Sequence, residues 1–144
     1  MARSSRRLGG TLVLDAEGLV QLAQGNHVAI SLARDAHDAN GDVVTAATTL
    51  AEVLRGTRRD AGMHRVISRI TVLPIDEQLG RAAGELLGRV GLSGHRHALD
   101  TLLAVVALDQ ARPVVLLTSD PGDLRKLTDE PERPTRERVA VLRA

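Results

Sequence analysis

Gly10-Thr11-Leu12-Val13-Leu14-Asp15 is the stretch that decides the fold: a short apolar run that follows glycine and ends on a carboxylate. Such a run, rich in branched side chains, is typical of a strand buried on both faces, as in the inner strands of a parallel sheet. Ligands of open α/β sheets bind beyond the carboxyl ends of the strands. Asp15 stands at that end and is therefore the first candidate site residue.

The rest of the chain alternates predicted strands with predicted helices. Four further strands are expected at Asp42–Thr45, Ile70–Leu73, Pro113–Leu117 and, as an edge strand, Arg138–Leu142. Helices are expected at Ala16–Gln24, from the cap Asn26 to Ala39, Thr49–Gly56, from the cap Asp60 to Ser68, Asp76–Val90, His97–Gln110 and Asp123–Leu127, with a loop at Leu92–Arg96. Strands separated by helices predict an α/β fold with a mainly parallel sheet of four to five strands and right-handed crossovers.

Length and composition indicate one domain. A chain of 144 residues, 43% hydrophobic and 26% charged, is sufficient for one ordinary globular domain and too short for two. Within it we expect a flexible basic segment at residues 1–9 and a linker at residues 128–135 that leads to the edge strand. No apolar run is long enough to span a membrane, and the first apolar run is too short for a signal peptide, so we expect a cytoplasmic protein.

The chain lacks cysteine and the aromatic residues, which limits the ways in which it could bind a metal ion or RNA. The chain has no cysteine, which excludes disulfides, thiolate metal sites and thiol nucleophiles. It also has no Phe, Tyr or Trp, so RNA bases could stack only on arginine or histidine side chains. A metal ion would have to be held by oxygen or imidazole ligands.

Four acids follow the predicted strands or begin the helices after them. They are Asp15, Glu52, Asp100 and Asp120. Each has a structural explanation of its own: Asp15 and Asp120 as helix N-caps, Glu52 as the capping-box partner of Thr49, and Asp100 as a first-turn acid. Taken together they converge on one edge of a parallel sheet, where like charges raise one another's pKa unless a cation neutralises them. A carboxylate site without sulfur suits Mg²⁺ or Mn²⁺ and favours hydrolysis of phosphodiesters.

The ordered set of acidic segments resembles the PIN-domain ribonucleases, specifically the VapC-like toxins of bacterial toxin–antitoxin pairs. The segments are residues 13–19, 50–56, 100–108 and 117–124, together with the helix that begins near Ile75. The resemblance runs from about Leu12 to Leu127. It implies a three-layer α/β/α sandwich and Mg²⁺- or Mn²⁺-dependent endonucleolytic cleavage of RNA.

The resemblance also implies residue roles and partners. Asp15, Glu52, Asp100 and Asp120 take the catalytic positions, and the metal ligands are Asp15, Asp100, Asp120 and Asp123. The expected partners are an RNA substrate, a cognate antitoxin protein and a second copy of the chain in a homodimer, with no membrane. The helices between Asp15 and Asn40, and the arginines from Arg55 to Arg69, are candidates for the protein contacts.

Arginines form two clusters although the formal net charge is only +1. The first is Arg3, Arg6 and Arg7, and the second is Arg55, Arg58, Arg59, Arg65 and Arg69. A solvated arginine face explains such clusters without a ligand. As RNA contacts we assign Arg55, Arg58, Arg59 and His97.

Two other interpretations stay open at this point. The chain could be a PIN-like module that retains its acids but binds or regulates without turnover. It could instead be an unrelated α/β phosphoryl-transfer hydrolase with Asp15 as its nucleophile. Against the latter, no phosphate-binding glycine loop ending in Lys-Ser/Thr is present, and Lys126 is the chain's one lysine.

Overall fold

A five-stranded, fully parallel sheet forms the centre of the protein in the computed structural model, which describes residues 9–144. The strands are β1 (Thr11–Leu14), β2 (Asp42–Ala46), β3 (Thr71–Leu73), β4 (Val114–Thr118) and β5 (Ala140–Arg143). Their order in the sheet is β3-β2-β1-β4-β5. The apolar stretch quoted above is thus the middle strand, as its pattern predicted.

Seven α-helices cover the two faces of the sheet within residues 9–144. They are α1 (Ala16–Ala23), α2 (His27–Asp38), α3 (Leu50–Val53), α4 (Ala61–Ile67), α5 (Glu77–Val90), α6 (Gly94–Leu108) and α7 (Pro121–Leu127). Leu12 and Leu14 of β1 pack with Leu19 of α1 on one face. Val13 packs with α5, α6 and α7 on the other. This three-layer α/β/α arrangement confirms the predicted fold class.

Strand β1 is apolar throughout because both of its faces are covered. Thr11, Leu12, Val13 and Leu14 are each at most 5% exposed. Burying an aliphatic side chain of this size contributes about 1.5–3 kcal/mol to the free energy of unfolding. The strand ends at Asp15, where the chain turns into α1.

Several predicted boundaries are wrong by a few residues. Helix α6 begins at Gly94 rather than His97, so part of the predicted loop Leu92–Arg96 is helical, and α7 begins at Pro121 rather than Asp123. The expected helix from Thr49 is a 3₁₀ turn (Ala47–Thr49) followed by the single turn of α3. Strand β5 begins at Ala140, two residues after the predicted start at Arg138.

The predicted flexible segment 1–9 and its arginines Arg3, Arg6 and Arg7 lie outside the described residues, apart from Gly9. Between Gly9 and Ala144, none of the helices combines the length and the apolar character needed to cross a membrane.

Candidate active site at the carboxyl edge of the sheet

Asp15 is fixed at the carboxyl end of the central strand. It is 7% exposed, and its Oδ1 accepts a hydrogen bond from the backbone N–H of Gly18 at 2.8 Å, which caps α1. Its Oδ2 accepts from the N–H of Ser119 at 2.9 Å, directly after β4. The predicted capping role is therefore real. Each carboxylate oxygen still has a lone pair for a further ligand, so capping and metal binding are compatible.

Close packing beneath Asp15 holds it in place. A β-carbon at Gly18 would lie 3.0 Å from the carbonyl oxygen of Leu117 and 3.3 Å from the side chain of Leu14. Glycine therefore allows α1 to approach β4 closely. That approach brings the end of β1 and the residue after β4 onto the same carboxylate.

Glu52 lies on α3 and does not have the structural role that its sequence context suggested. Thr49 makes no side-chain capping hydrogen bond, so the predicted capping box is absent. Glu52 is exposed as a residue, but partial desolvation of its carboxyl group raises its pKa, and the charges of Asp100 and Asp15 raise the pKa further. The carboxyl group therefore lies within electrostatic range of two other predicted site acids.

Asp100 is the acid that interacts with most of the others. It is the seventh residue of α6, well inside the helix rather than in its first turn. Burial raises its pKa most, and the charges of Asp120, Asp15 and Asp123 raise it further, while His97 lowers it. The predicted convergence of the acids therefore occurs at this edge of the sheet.

Asp120 and Asp123 occupy the beginning of α7. Asp120 is the N-cap, with an Oδ1 that accepts from the N–H of Asp123 at 3.4 Å, and Pro121 follows as the first helical residue. The N–H of Asp120 donates to the Thr118 hydroxyl at 2.9 Å. Thr118 thus shapes the turn that presents both acids.

His97 lies among the acids. Its Nδ1 is 3.4 Å from Oδ2 of Asp123. His97, Asp100 and Asp123 each offer one ligand atom, and these atoms all lie within 4.8 Å of one another. Sequence reasoning assigned His97 to RNA and overlooked this arrangement. Its spacing from Asp100, three residues along one helix face, is the signal that could have revealed it.

The donor set fits a divalent cation. Carboxylate oxygens are the ligands that Mg²⁺ and Mn²⁺ prefer, and one imidazole is compatible with a transition metal such as Mn²⁺. Burial raises the pKa values of Glu52 and Asp100 most, and the neighbouring acids raise them further; a bound cation would offset this second contribution. The residues present therefore fit the ion that was predicted from the sequence.

The arginines assigned to RNA lie in the segment after α3. The guanidinium of Arg55 donates to the carbonyl oxygens of Ala51, Glu52 and Leu54, so it caps the end of α3. Arg58 and Arg59 are exposed in the 3₁₀ turn Arg58–Asp60. The carboxylate of Asp60 closes this loop through the N–H groups of Arg55 and Gly56, and these hydrogen bonds lower its pKa.

Comparison with known proteins identifies the family to which this chain belongs. Residues 12–129 match the PIN domain family. The chain belongs to the PIN-domain family. The matched region contains all the acids described above and excludes β5. Membership also removes the alternative of an unrelated α/β phosphoryl-transfer hydrolase.

Two solved structures share the fold of this PIN domain at low sequence identity. One is a crystal structure of VapBC2 from Rickettsia felis bound to a DNA fragment from their promoter, with a TM-score of 0.65, 16% identity and coverage of 93% of this chain and 98% of that chain. The other is FitAB bound to an IR36 DNA fragment, with a TM-score of 0.58, 19% identity and coverage of 92% and 94%. Among curated proteins, none matches this PIN domain in sequence.

Proposed function

We propose that this PIN domain is a metal-dependent endoribonuclease that hydrolyses RNA phosphodiester bonds, and that it is the toxin of a toxin–antitoxin pair. The observation that carries the proposal is the convergence of Asp15, Glu52, Asp100 and Asp120 at one edge of the sheet, where burial and then the neighbouring charges raise the pKa values of Glu52 and Asp100. Helix capping explains the positions of Asp15 and Asp120, but not the approach of Glu52 and Asp100 to them, which a cationic ligand would stabilise.

The proposed roles follow from how the acids are placed relative to one another. Asp100 and Asp123 would hold Mg²⁺ or Mn²⁺ together with His97, whose ligand atom lies within 4.8 Å of theirs. Asp15 and Asp120 are proposed as further ligands, because their charges act on Asp100. The ion would supply a hydrolytic water at neutral pH and offset negative charge on the phosphate. Glu52 makes no capping contact and has a raised pKa, so it is suited to accept a proton during attack. Arg58 and Arg59 remain the proposed contacts to the RNA backbone.

A groove on the opposite end of the molecule supports a protein partner. It encloses about 560 Å³ among α1, α2, the end of α4 and the starts of β2 and β3. Its lining includes the apolar residues Leu22, Ile30 and Val66 and the polar residues His37, Asp42 and Arg69. The apolar face of an amphipathic antitoxin helix fits the apolar part of this lining. The two structural neighbours are two-component complexes. An antitoxin, a homodimer and a cytoplasmic location are proposed with the toxin role.

Cleavage of a mixed RNA pool tests the proposal. We expect the wild-type protein, purified free of any partner, to cleave with Mg²⁺ or Mn²⁺ and to be inactive in EDTA. Glu52→Gln should lower cleavage by about 100-fold or more, because it removes a group proposed to act in the transition state. The variant should fold normally, since Glu52 caps no helix.

Glu85→Gln is the matched control, because Glu85 is an exposed glutamate on α5. It should cleave like the wild type. Absence of metal-dependent cleavage in folded wild-type protein would contradict the nuclease proposal and favour the catalytically silent binding module.

A further inference from the structure

Arg143 stands at the same edge of the sheet as the acids, although it lies outside the region that matches the family. Strand β5 pairs with β4 in parallel, and Arg143 is the register partner of Thr118. The N–H of Ala144 donates to the carbonyl oxygen of Thr118 at 2.7 Å, so the pairing continues past Arg143. Arg143 is therefore level with the last residue of β4, immediately before Ser119 and Asp120.

The alternation of side chains along β5 assigns Arg143 to the face that carries α6 and α7. Val141 is 8% exposed and belongs to the core cluster with Leu103 of α6 and Leu124 of α7. Side chains two residues apart on a strand share a face. Arg143 therefore projects on the side of the sheet where Asp100, Asp120 and Asp123 are placed.

The guanidinium of Arg143 has little to bind within the protein. Its Nη1 donates one long hydrogen bond, 3.4 Å, to the carbonyl oxygen of Ser119. No carboxylate of residues 9–144 forms an ion pair with it. Arg112, by contrast, is committed to Glu130 and to two carbonyl oxygens. Arg143 is exposed and retains at least four N–H donors.

One residue connects Arg143 to the centre of the site. Ser119 accepts from Arg143 through its carbonyl oxygen and donates to Oδ2 of Asp15 through its N–H. The guanidinium of Arg143 thus lies beside the cluster of acids and forms an ion pair with none of them. An RNA strand must bring a phosphate to a cluster of negative charges, and a guanidinium at the margin of that cluster offers bidentate hydrogen bonds to such a phosphate.

We propose that Arg143 is a phosphate-binding residue that holds the RNA strand against the acidic site, on the β5 side. This inference rests on the proposed ribonuclease function and deepens it by naming a substrate contact. It predicts a substrate path that crosses the end of β4 and β5 as well as the arginine segment after α3.

The test is steady-state cleavage of a fluorescent RNA oligonucleotide, carried out at several salt concentrations with Mn²⁺. We expect Arg143→Ala to raise KM about tenfold. It should also reduce the slope of log(kcat/KM) against log[salt] by about 0.7, as for loss of one phosphate contact on a single strand. Arg143→Lys should recover part of the affinity. Mn²⁺ affinity, measured by calorimetry, should be unchanged in both variants.

Arg136→Ala is the matched control, because Arg136 is an exposed arginine in the 3₁₀ turn that precedes β5, at the other edge of the sheet. It should behave like the wild type. An Arg143→Ala protein with wild-type KM and salt dependence would overturn the inference. So would a variant with weakened Mn²⁺ binding and unchanged KM, since Arg143 would then act only through Ser119 and Asp15. Failure of the wild type to cleave RNA would instead reject the proposed function itself.

Discussion

Asp100→Asn is expected to abolish RNA cleavage and, without metal, to make the protein more stable. The loss of activity should be about 100-fold or more, because the change removes one charge from the proposed metal site and from the charge balance of the transition state. The gain in stability follows from the raised pKa of Asp100, which reflects its partial burial and the nearby charges of Asp120, Asp15 and Asp123. Asparagine fills the same space without that charge.

The raised pKa values also predict how the stability of the metal-free protein depends on pH. The pKa values of Asp100 and Glu52 in the folded protein lie above the ordinary values of aspartate and glutamate side chains, 3.8 and 4.5. Between the ordinary pKa and the higher pKa of the folded state, the folded protein binds more protons than the unfolded chain. The stability of the metal-free protein therefore falls as the pH rises through this range. Asp100→Asn should flatten this fall in stability.

Thermal melting in EDTA and in Mn²⁺ measures both effects. In EDTA, the melting temperature of the wild type should be lower than that of Asp100→Asn. Mn²⁺ should raise the melting temperature of the wild type more than that of the variant, because ligand binding to the folded state stabilises it by mass action. Asp129→Asn, a change at an exposed aspartate after α7, is the control and should alter neither response. A destabilised Asp100→Asn protein in EDTA would show that the acids do not repel one another as described.

Gly10→Ala is expected to destabilise the fold by about 3 kcal/mol or more, since it combines backbone strain with a clash. Gly10 has φ +70°, a conformation that L-residues rarely adopt. A β-carbon there would overlap the carbonyl oxygen of Pro113 and lie 2.9 Å from its carbonyl carbon. The obstacle is backbone at the start of the pairing between β1 and β4, where Thr11 N–H donates to the same oxygen. It cannot move aside as a flexible side chain would.

Gly84→Ala is the matched control, and its effect should have the opposite sign. Gly84 lies inside α5, and nothing lies within 4 Å of the position its β-carbon would take. Alanine there should stabilise the protein by about 0.5–1 kcal/mol through helix propensity. Urea unfolding of both variants compares the two values directly. Equal effects of the two substitutions would refute the packing described at Gly10.

Local patterns were sufficient to predict a mainly parallel α/β sheet, whereas the three-layer arrangement was implied by the resemblance to PIN-domain ribonucleases. The apolar run of β1 predicted a strand buried on both faces, and the alternation of strands with helices predicted their parallel order. They do not locate helix starts: the pattern predicts a start at His97, whereas α6 begins at Gly94, and Thr49–Glu52 matches a capping box that does not form. Helix starts depend on a few marginal hydrogen bonds, which tertiary packing readily overrides.

The sequence by itself determined that this is a parallel α/β domain with acids after its strands, because burial on both faces demands apolar strands and leaves charge to their ends. Only the tertiary structure decided the strand order β3-β2-β1-β4-β5, the contact of His97 with Asp123 and the place of Arg143 beside Ser119. Ser119 and Asp15, hydrogen-bonded to each other, are 104 residues apart in the chain. No periodicity within one segment specifies such a contact, because it exists only once the sheet has brought β1 and β4 side by side.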